Sequence, residues 1–390
     1  MEKKVIIIGA GVAGPVLAMQ LQKTGYRAEV YEARAEDNTR EGAFLGLTPN
    51  GLNILKEFVD LNLLKADYTP AAMKFYNGRG KQIAEINTGY QKQKYGVETI
   101  QIKRSDLNKY TREAAIAKGI TFHFNKVCKE VLDGLGGVEA FFEDGTSAQG
   151  DILVACDGTF SLVRRQLFPK EDKPSYTKII STGGYARLDK LSKPTDSINM
   201  TFGERGFFAY AVSNKGEIWW FNNYYRETEP TREEFQRTIK EEIKSYLLEL
   251  HKNDDPVFSE IICASDDMIV YPVYDIPHLK RWYMGNICLI GDAAHAVSPH
   301  VGQGASLALE DTAILAGFLS KETKVEDAFK KFQEARQGRV KKIIKSARKI
   351  GDNKSKPSPI ATWFRDKFIG GFIKGEIKKL DWVYGFRVDG

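Results

Sequence analysis

Lys4-Val5-Ile6-Ile7-Ile8-Gly9-Ala10-Gly11-Val12-Ala13-Gly14 stands almost at the start of the chain. Lys4 to Ile8 is a nearly continuous apolar run, the pattern of a strand buried on both faces. The glycines make the turn that follows it. Pro15 to Lys23 reads as a helix, with Val16, Leu17, Met19 and Leu21 as its apolar set and Gly25 as its stop. Arg27 to Tyr31 is a second strand and ends at Glu32. Strand, glycine turn, helix and strand make a βαβ unit and place the chain in the α/β class. Gly9, Gly11 and Gly14 let the backbone turn tightly and approach a pyrophosphate. The helix N-terminus behind them offers free N–H groups and a positive dipole end. Glu32 lies eighteen residues past Gly14. A carboxylate there accepts hydrogen bonds from ribose hydroxyls and repels a 2′-phosphate, so the motif fits FAD or NAD and not NADP. These residues alone do not separate FAD from NAD.

The next stretches outward lie far along the chain. Ile287 to Ile290 reads as a buried strand that ends at Gly291-Asp292-Ala293-Ala294-His295, followed by Pro299, His300 and Gly302-Gln303-Gly304. Between the two ends, Asp157-Gly158-x-x-Ser161-x-x-Arg164 follows the strand Ile152 to Cys156. Arg104-x-x-Leu107 opens a helix, and Arg40 precedes Gly42-Ala43-Phe44. In this order the segments resemble the group A flavoprotein monooxygenases, the aromatic hydroxylases related to para-hydroxybenzoate hydroxylase. The resemblance runs from about residue 4 to residue 345. It implies FAD, bound tightly and without a covalent link. It assigns Gly9, Gly11, Gly14 and Glu32 to the adenosine end and Arg104 to the flavin phosphates, with Arg40 a fifth matching element. Asp157 and Gly158 match a segment that touches FAD and the nicotinamide coenzyme. Gly291 and Asp292 match the segment that holds the ribityl hydroxyls. The helix starting near Gly302, Gln303 and Gly304 then points its N-terminus at the flavin ring. A helix N-terminus stabilises the negative charge of reduced flavin.

The expected architecture is a Rossmann-like FAD-binding domain (1–72, 99–173 and 271–348), an inserted, mainly β substrate domain (73–98 and 174–270) and a C-terminal helical tail (349–390). The expected activity is hydroxylation of a small aromatic or polycyclic phenolic substrate with O2, through a flavin C4a-hydroperoxide. NADPH or NADH serves as a transient co-substrate, since no second GxGxxG region gives it a domain of its own. Size and layout also resemble the tetracycline-inactivating monooxygenases and the flavin-type urate hydroxylases. Two other readings are an isoprenoid- or quinone-pathway flavoenzyme at a membrane and a catalytically silent flavin-binding protein. No tryptophan motif of flavin halogenases occurs. Pro299, His300 and Gly302 are the expected catalytic positions, with His300 taking or relaying a phenolic proton. His295 is read as structural. Phe202, Phe208, Tyr210 and Trp220, with His300, are expected to line the substrate pocket. Alternate strand residues face opposite sides, so about half of the aromatic cluster at 202–221 points into it.

The bulk numbers agree with a soluble enzyme. The 390 residues are 42% hydrophobic and 28% charged. No apolar run is long enough to span a bilayer, and the N-terminus lacks the long apolar region of a signal peptide, so the cytoplasm is the expected compartment. The four cysteines are scattered and show no CxxC pattern, and no metal-ligand spacing appears. From Lys321 onward nineteen Lys or Arg stand against nine Asp or Glu. This segment shows no nucleic-acid motif. It fits a solvated helix face or a contact with a membrane surface. The expected assembly is a monomer or homodimer.

Overall fold

The strand Lys4–Ile8 is buried from Val5 onward because it sits inside a six-stranded sheet. The order is Tyr283–Met284, Ile287–Leu289, Ile152–Ala155, Lys4–Ile8, Arg27–Tyr31 and Thr121–His123. The four pairings from Ile287–Leu289 to Thr121–His123 are parallel, and Tyr283–Met284 adds antiparallel. The computed structural model describes residues 2–36, 44–65, 68–171, 173–236, 240–276, 279–352 and 381–388. On one side of the sheet the helix Ala13–Lys23 packs against the helix Gly304–Lys321, which is braced in turn by Val325–Asp352. On the other side lies a three-stranded sheet, Cys128–Gly134, Gly137–Phe142 and Ser147–Gly150. Val5, Ile6 and Ile7 are fully buried. Each contributes about 1.5–3 kcal/mol by leaving water.

A second, seven-stranded sheet has the order Met268–Asp275, Ser175–Ala186, Ile218–Tyr225, Gly206–Val212, Ser197–Phe202, Ala72–Asn77 and Gln82–Asn87. It is antiparallel except between Ser197–Phe202 and Ala72–Asn77. Met268–Asp275 runs through the division expected at 270/271. The strand belongs to this sheet over its whole length because it pairs with Ser175–Ala186. Arg348 clasps its far end, donating to both oxygens of Asp275 at 2.7 and 2.8 Å.

A two-stranded ribbon, Phe44–Leu47 with Ile100–Lys103, connects the two sheets. Phe44 touches Trp219 and Phe221 of the large sheet. Four residues on, Thr48 bonds Ser306 in the first turn of the helix Gly304–Lys321. The ribbon therefore turns one face of the large sheet toward that helix N-terminus. Most of the C-terminal helical tail expected at 349–390 lies outside the described residues. The described end, 381–388, folds back onto the long helix. Arg339 donates to the carbonyls of Trp382 and Val383, each at 2.9 Å.

Candidate active site

The glycine turn shows a division of labour. A Cβ on Gly9 would stand 2.5 Å from the Cys156 carbonyl oxygen, and one on Gly14 would land on the Gly9 carbonyl. These two glycines are needed for the turn to pack on the neighbouring strand and on itself. A Cβ on Gly11 or on Gly302 would meet nothing within 4 Å. Gly302 is explained by its left-handed φ of 58°, whereas neither packing nor backbone conformation accounts for Gly11. Glu32 is fixed beside the turn: Oε2 accepts from the Ala10 N–H at 2.7 Å and Oε1 from the Arg34 N–H at 3.0 Å. Each oxygen keeps a lone pair for a ribose hydroxyl.

The segment 157–164 lies against the distal motif. Arg164 is buried and its guanidinium donates to the Ala293 carbonyl at 2.8 Å and the Thr159 carbonyl at 2.6 Å. It thus ties the Asp157-Gly158 turn to the Asp292–His295 helix. Burial lowers the Arg164 guanidinium from its ordinary value, and Asp157 counters that shift. Burial also raises the Asp157 carboxyl above its usual range, although hydrogen bonds from Ser161 and backbone N–H groups oppose it. Asp157 Oδ2 accepts from the Val163 N–H, while Oδ1 is buried with no partner among the described residues. Ser298 Oγ, just before Pro299, is a second orphan of this kind.

Gly291 takes φ 58° and ψ −140°, a conformation open to glycine, and turns the chain into the short helix Asp292–His295. Asp292 is half-buried. A Cβ on Gly304 would stand 3.9 Å from its Oδ1, so this carboxylate lies at the mouth of the helix Gly304–Lys321. Pro299 and the backbone of His300 form a 3-10 turn that ends at Gly302 in the left-handed region. The His300 side chain and all of Arg40 lie outside the described residues. Arg104 is exposed at the start of the helix Arg104–Ala117.

Gln303 keeps its side chain inside the protein. Its amide donates to Thr48 Oγ1 at 3.0 Å and accepts from Asn50 Nδ2 at 3.1 Å. Asn50 also donates to Glu310 at 2.6 Å, and Glu310 is paired with Arg336 and Arg339. The adjacent Asp311 accepts from Arg336 Nε at 2.7 Å and from the Gly291 N–H at 2.8 Å, and lies 2.6 Å from His295 Nε2. Burial alone raises the Asp311 carboxyl, but the charges and hydrogen bonds of His295 and Arg336 outweigh it and hold Asp311 below its usual range. One buried network therefore sets both the Gly291 turn and the Gln303 cap. The structural reading of His295 matches this geometry. The sequence did contain a signal for the network. Glu310-Asp311 interrupts an otherwise apolar helix, and an acid pair in such a place needs buried cations.

The aromatic cluster divides by strand alternation. Phe208 stacks on Trp220 at 5.3 Å and on Phe258 at 4.4 Å, and Trp220 Nε1 donates to Ser265. Phe208, Trp220 and Tyr210 thus face the helices Lys240–Leu250 and Pro256–Cys263, away from the ribbon. The opposite face carries the residues of opposite parity, Phe207, Trp219 and Phe221, with Tyr185 and Met200. Phe202 packs edge-on against Phe207 at 5.1 Å and belongs to this face. Of the residues expected to line a substrate pocket, Phe202 lies on the face with Phe207, while Phe208, Tyr210 and Trp220 pack against the two helices.

The glycine turn, Glu32, the Asp157 loop and the Gly291 turn all follow the C-terminal ends of the parallel strands of the central sheet, and Asp157 Oδ1 and Ser298 Oγ are left without partners among the described residues. That fits an elongated dinucleotide such as FAD. Glu32 would hold its ribose, Gly11 its pyrophosphate and Asp292 its ribityl chain. Asp292→Ala is expected to raise the FAD dissociation constant about 10- to 100-fold, the loss of one charge-assisted bond of about 1.5–3 kcal/mol. A fluorescence titration of the apoprotein with FAD checks it; an unchanged constant removes Asp292 from the site.

Comparison with known proteins agrees with this geometry. A family model described as "FAD binding domain" matches residues 2–347. The FAD-dependent urate hydroxylase of Klebsiella oxytoca is 24% identical, with 90% of each chain covered. The 6-hydroxynicotinate 3-monooxygenase of Bordetella bronchiseptica is 26% identical over 99% of this chain and 96% of that one. The solved structure of Klebsiella pneumoniae HpxO with FAD and uric acid superposes with a TM-score of 0.85 at 22% identity, covering 97% of this chain and 96% of the other. That likeness is one of fold.

Proposed function

This chain belongs to the FAD binding domain family, and from that premise we propose that it hydroxylates a small phenolic or N-heteroaromatic ring. It is an FAD-dependent monooxygenase that uses NADH or NADPH and O2. Relatives named for urate and for 6-hydroxynicotinate support a small, polar aromatic substrate. The observation that carries the reading is the meeting of two surfaces. The ribbon strand Phe44–Leu47 joins them: Phe44 packs on Trp219 and Phe221 of the aromatic face, and Thr48 just after it bonds Ser306 in the first turn of the helix Gly304–Lys321.

Bound FAD supplies the redox chemistry, taking a hydride equivalent from the nicotinamide and activating O2 for transfer of one oxygen atom. The protein's own residues do the rest. The N–H groups at the start of the helix Gly304–Lys321 favour negative charge on the ring beside them. The aromatic face excludes water, which shields a reactive oxidant. His300, in the turn between Ser298 and Gly302, is the proposed acceptor of the phenolic proton. Pro299 and Gly302 set the backbone around it.

The test is NADH and NADPH oxidation by the holoenzyme across a panel of phenols and hydroxylated N-heteroaromatics, with product masses. Stimulated turnover and a product heavier by one oxygen are expected. A flavin that reoxidises without any product for every compound would defeat the proposal. In the same assay His300→Ala should lower the hydroxylation rate by about 10²–10⁴-fold, the usual range for a lost general base, with FAD content intact. Wild-type coupling at every pH would make His300 only part of the wall.

A further inference from the structure

Two asparagines stand side by side on the strand Ile218–Tyr225, and they are treated differently. Asn222 faces the helices. Its Nδ2 donates to Thr182 Oγ1 at 3.2 Å, and its Oδ1 lies 2.7 Å from His251 Nε2. His251 is held from its other side by Asp254 at 2.8 Å. Asn222 is therefore knitted into the core. Asn223 points the other way, to the face that carries Trp219 and Phe221. Its neighbours across the ladder are Phe207 on one side and Ser181 on the other. Asn223 is 6% exposed, and its Oδ1 is buried without a hydrogen-bond partner among the described residues.

An amide oxygen buried and unpaired loses its hydration with nothing in return. A phenylalanine or leucine in that place, like its neighbours, carries no such penalty. An unsatisfied group in a native structure calls for a reason. Here the reason suggested by position is a ligand. Phe207 and Phe221 lie 5.8 Å apart beside it, and Phe202 and Phe44 extend the ring-lined surface. In so apolar a setting, one acceptor discriminates strongly between a ring that offers it a donor and one that does not.

Resting on the monooxygenase reading above, we propose that Asn223 Oδ1 accepts a hydrogen bond from an O–H or N–H on the edge of the substrate ring. It makes the enzyme selective for phenols and N–H heteroaromatics over the matching ethers and N-methyl rings. Asn223 is a recognition residue in this assignment. It takes no part in the flavin chemistry.

The experiment uses the FAD-loaded enzyme and matched pairs of ligands: a phenol and its methyl ether, a hydroxypyridine and its O-methyl and N-methyl derivatives. Binding is followed by the change in flavin absorbance. The wild-type enzyme is expected to bind the donor-bearing member about 10-fold more tightly, the worth of one good neutral hydrogen bond. Asn223→Ala should bring that ratio close to one with FAD content unchanged, and Asn223→Asp, which keeps an acceptor oxygen, should restore a preference. If the alanine variant does not load FAD, Asn223→Leu, of similar volume and without an acceptor, gives the same readout. A variant lacking the acceptor that keeps the wild-type ratio overturns the assignment and leaves the monooxygenase reading intact. A wild-type flavin that responds to no compound of the panel, in absorbance or in NAD(P)H oxidation, overturns both.

Discussion

Arg336→Met is expected to destabilise the protein by about 3–5 kcal/mol, the range found when one partner of a buried ion pair is removed. Arg336 is fully buried, and so are both of its anionic partners, Glu310 and Asp311. Its Nε donates to Asp311 at 2.7 Å, and a second nitrogen donates to the Leu307 carbonyl at 3.2 Å. Arg339 still covers Glu310 in the variant, with bonds at 2.7 and 2.8 Å. Asp311 is left with His295 and the Gly291 N–H. Those are the groups that set the Gly291 turn, so FAD retention should fall together with stability. Urea unfolding of wild type and variant, each with and without FAD, measures both. A loss under about 1 kcal/mol would show that water or rearrangement replaces the guanidinium. The same network makes the protein acid-sensitive. Asp311 is held below its ordinary value. Its contribution is therefore fully present above the unfolded value, about pH 4, and is lost as the pH falls through the lower, folded one.

The dinucleotide module was legible because its determinants are local. Lys4–Ile8, the glycine turn and Glu32 announce themselves by period and spacing, and the structure pairs them as the pattern requires. Asp157, Arg164 and Asp292 were also visible as short motifs. The bond that ties the two segments was not, since Arg164 reaches the Ala293 carbonyl 129 positions along the chain. The aromatic face shows where reading stops. Strand alternation sorts Phe207 from Phe208, yet the sign of the alternation depends on which side the helices Lys240–Leu250 and Pro256–Cys263 cover. Nothing near residues 202–221 carries that information. Gln303, expected at the cofactor, spends both side-chain amide atoms on Thr48 and Asn50. Any contact with a cofactor is therefore left to its backbone. The Asn50 link that explains this spans 253 residues to Gln303 and 260 to Glu310.

Within the glycine turn, two substitutions of one methyl each should have opposite signatures. Gly14→Ala drives a Cβ onto the Gly9 carbonyl oxygen, and backbone on both sides leaves little room to yield. Gly9 itself is locked, with its N–H on the Tyr31 carbonyl at 2.8 Å and its Cα against Cys156. The strain therefore reaches the central strands, and overpacking of this kind costs about 1–3 kcal/mol or more. The apoprotein should melt earlier, and FAD should be lost as a consequence. Gly11→Ala places its methyl where the protein has no atom within 4 Å. The apoprotein should keep its stability, or gain a few tenths of a kcal/mol from a less flexible unfolded chain. The methyl instead occupies the path of the pyrophosphate, and a similar penalty of about 1–3 kcal/mol falls wholly on binding, about 10- to 100-fold in the FAD dissociation constant. Thermal melts of the two apoproteins, set beside FAD titrations, separate the cases. If Gly11→Ala bound FAD as the wild type does, the cofactor would not cross that residue. The pyrophosphate would then have to rest elsewhere on the N-terminus of the helix Ala13–Lys23.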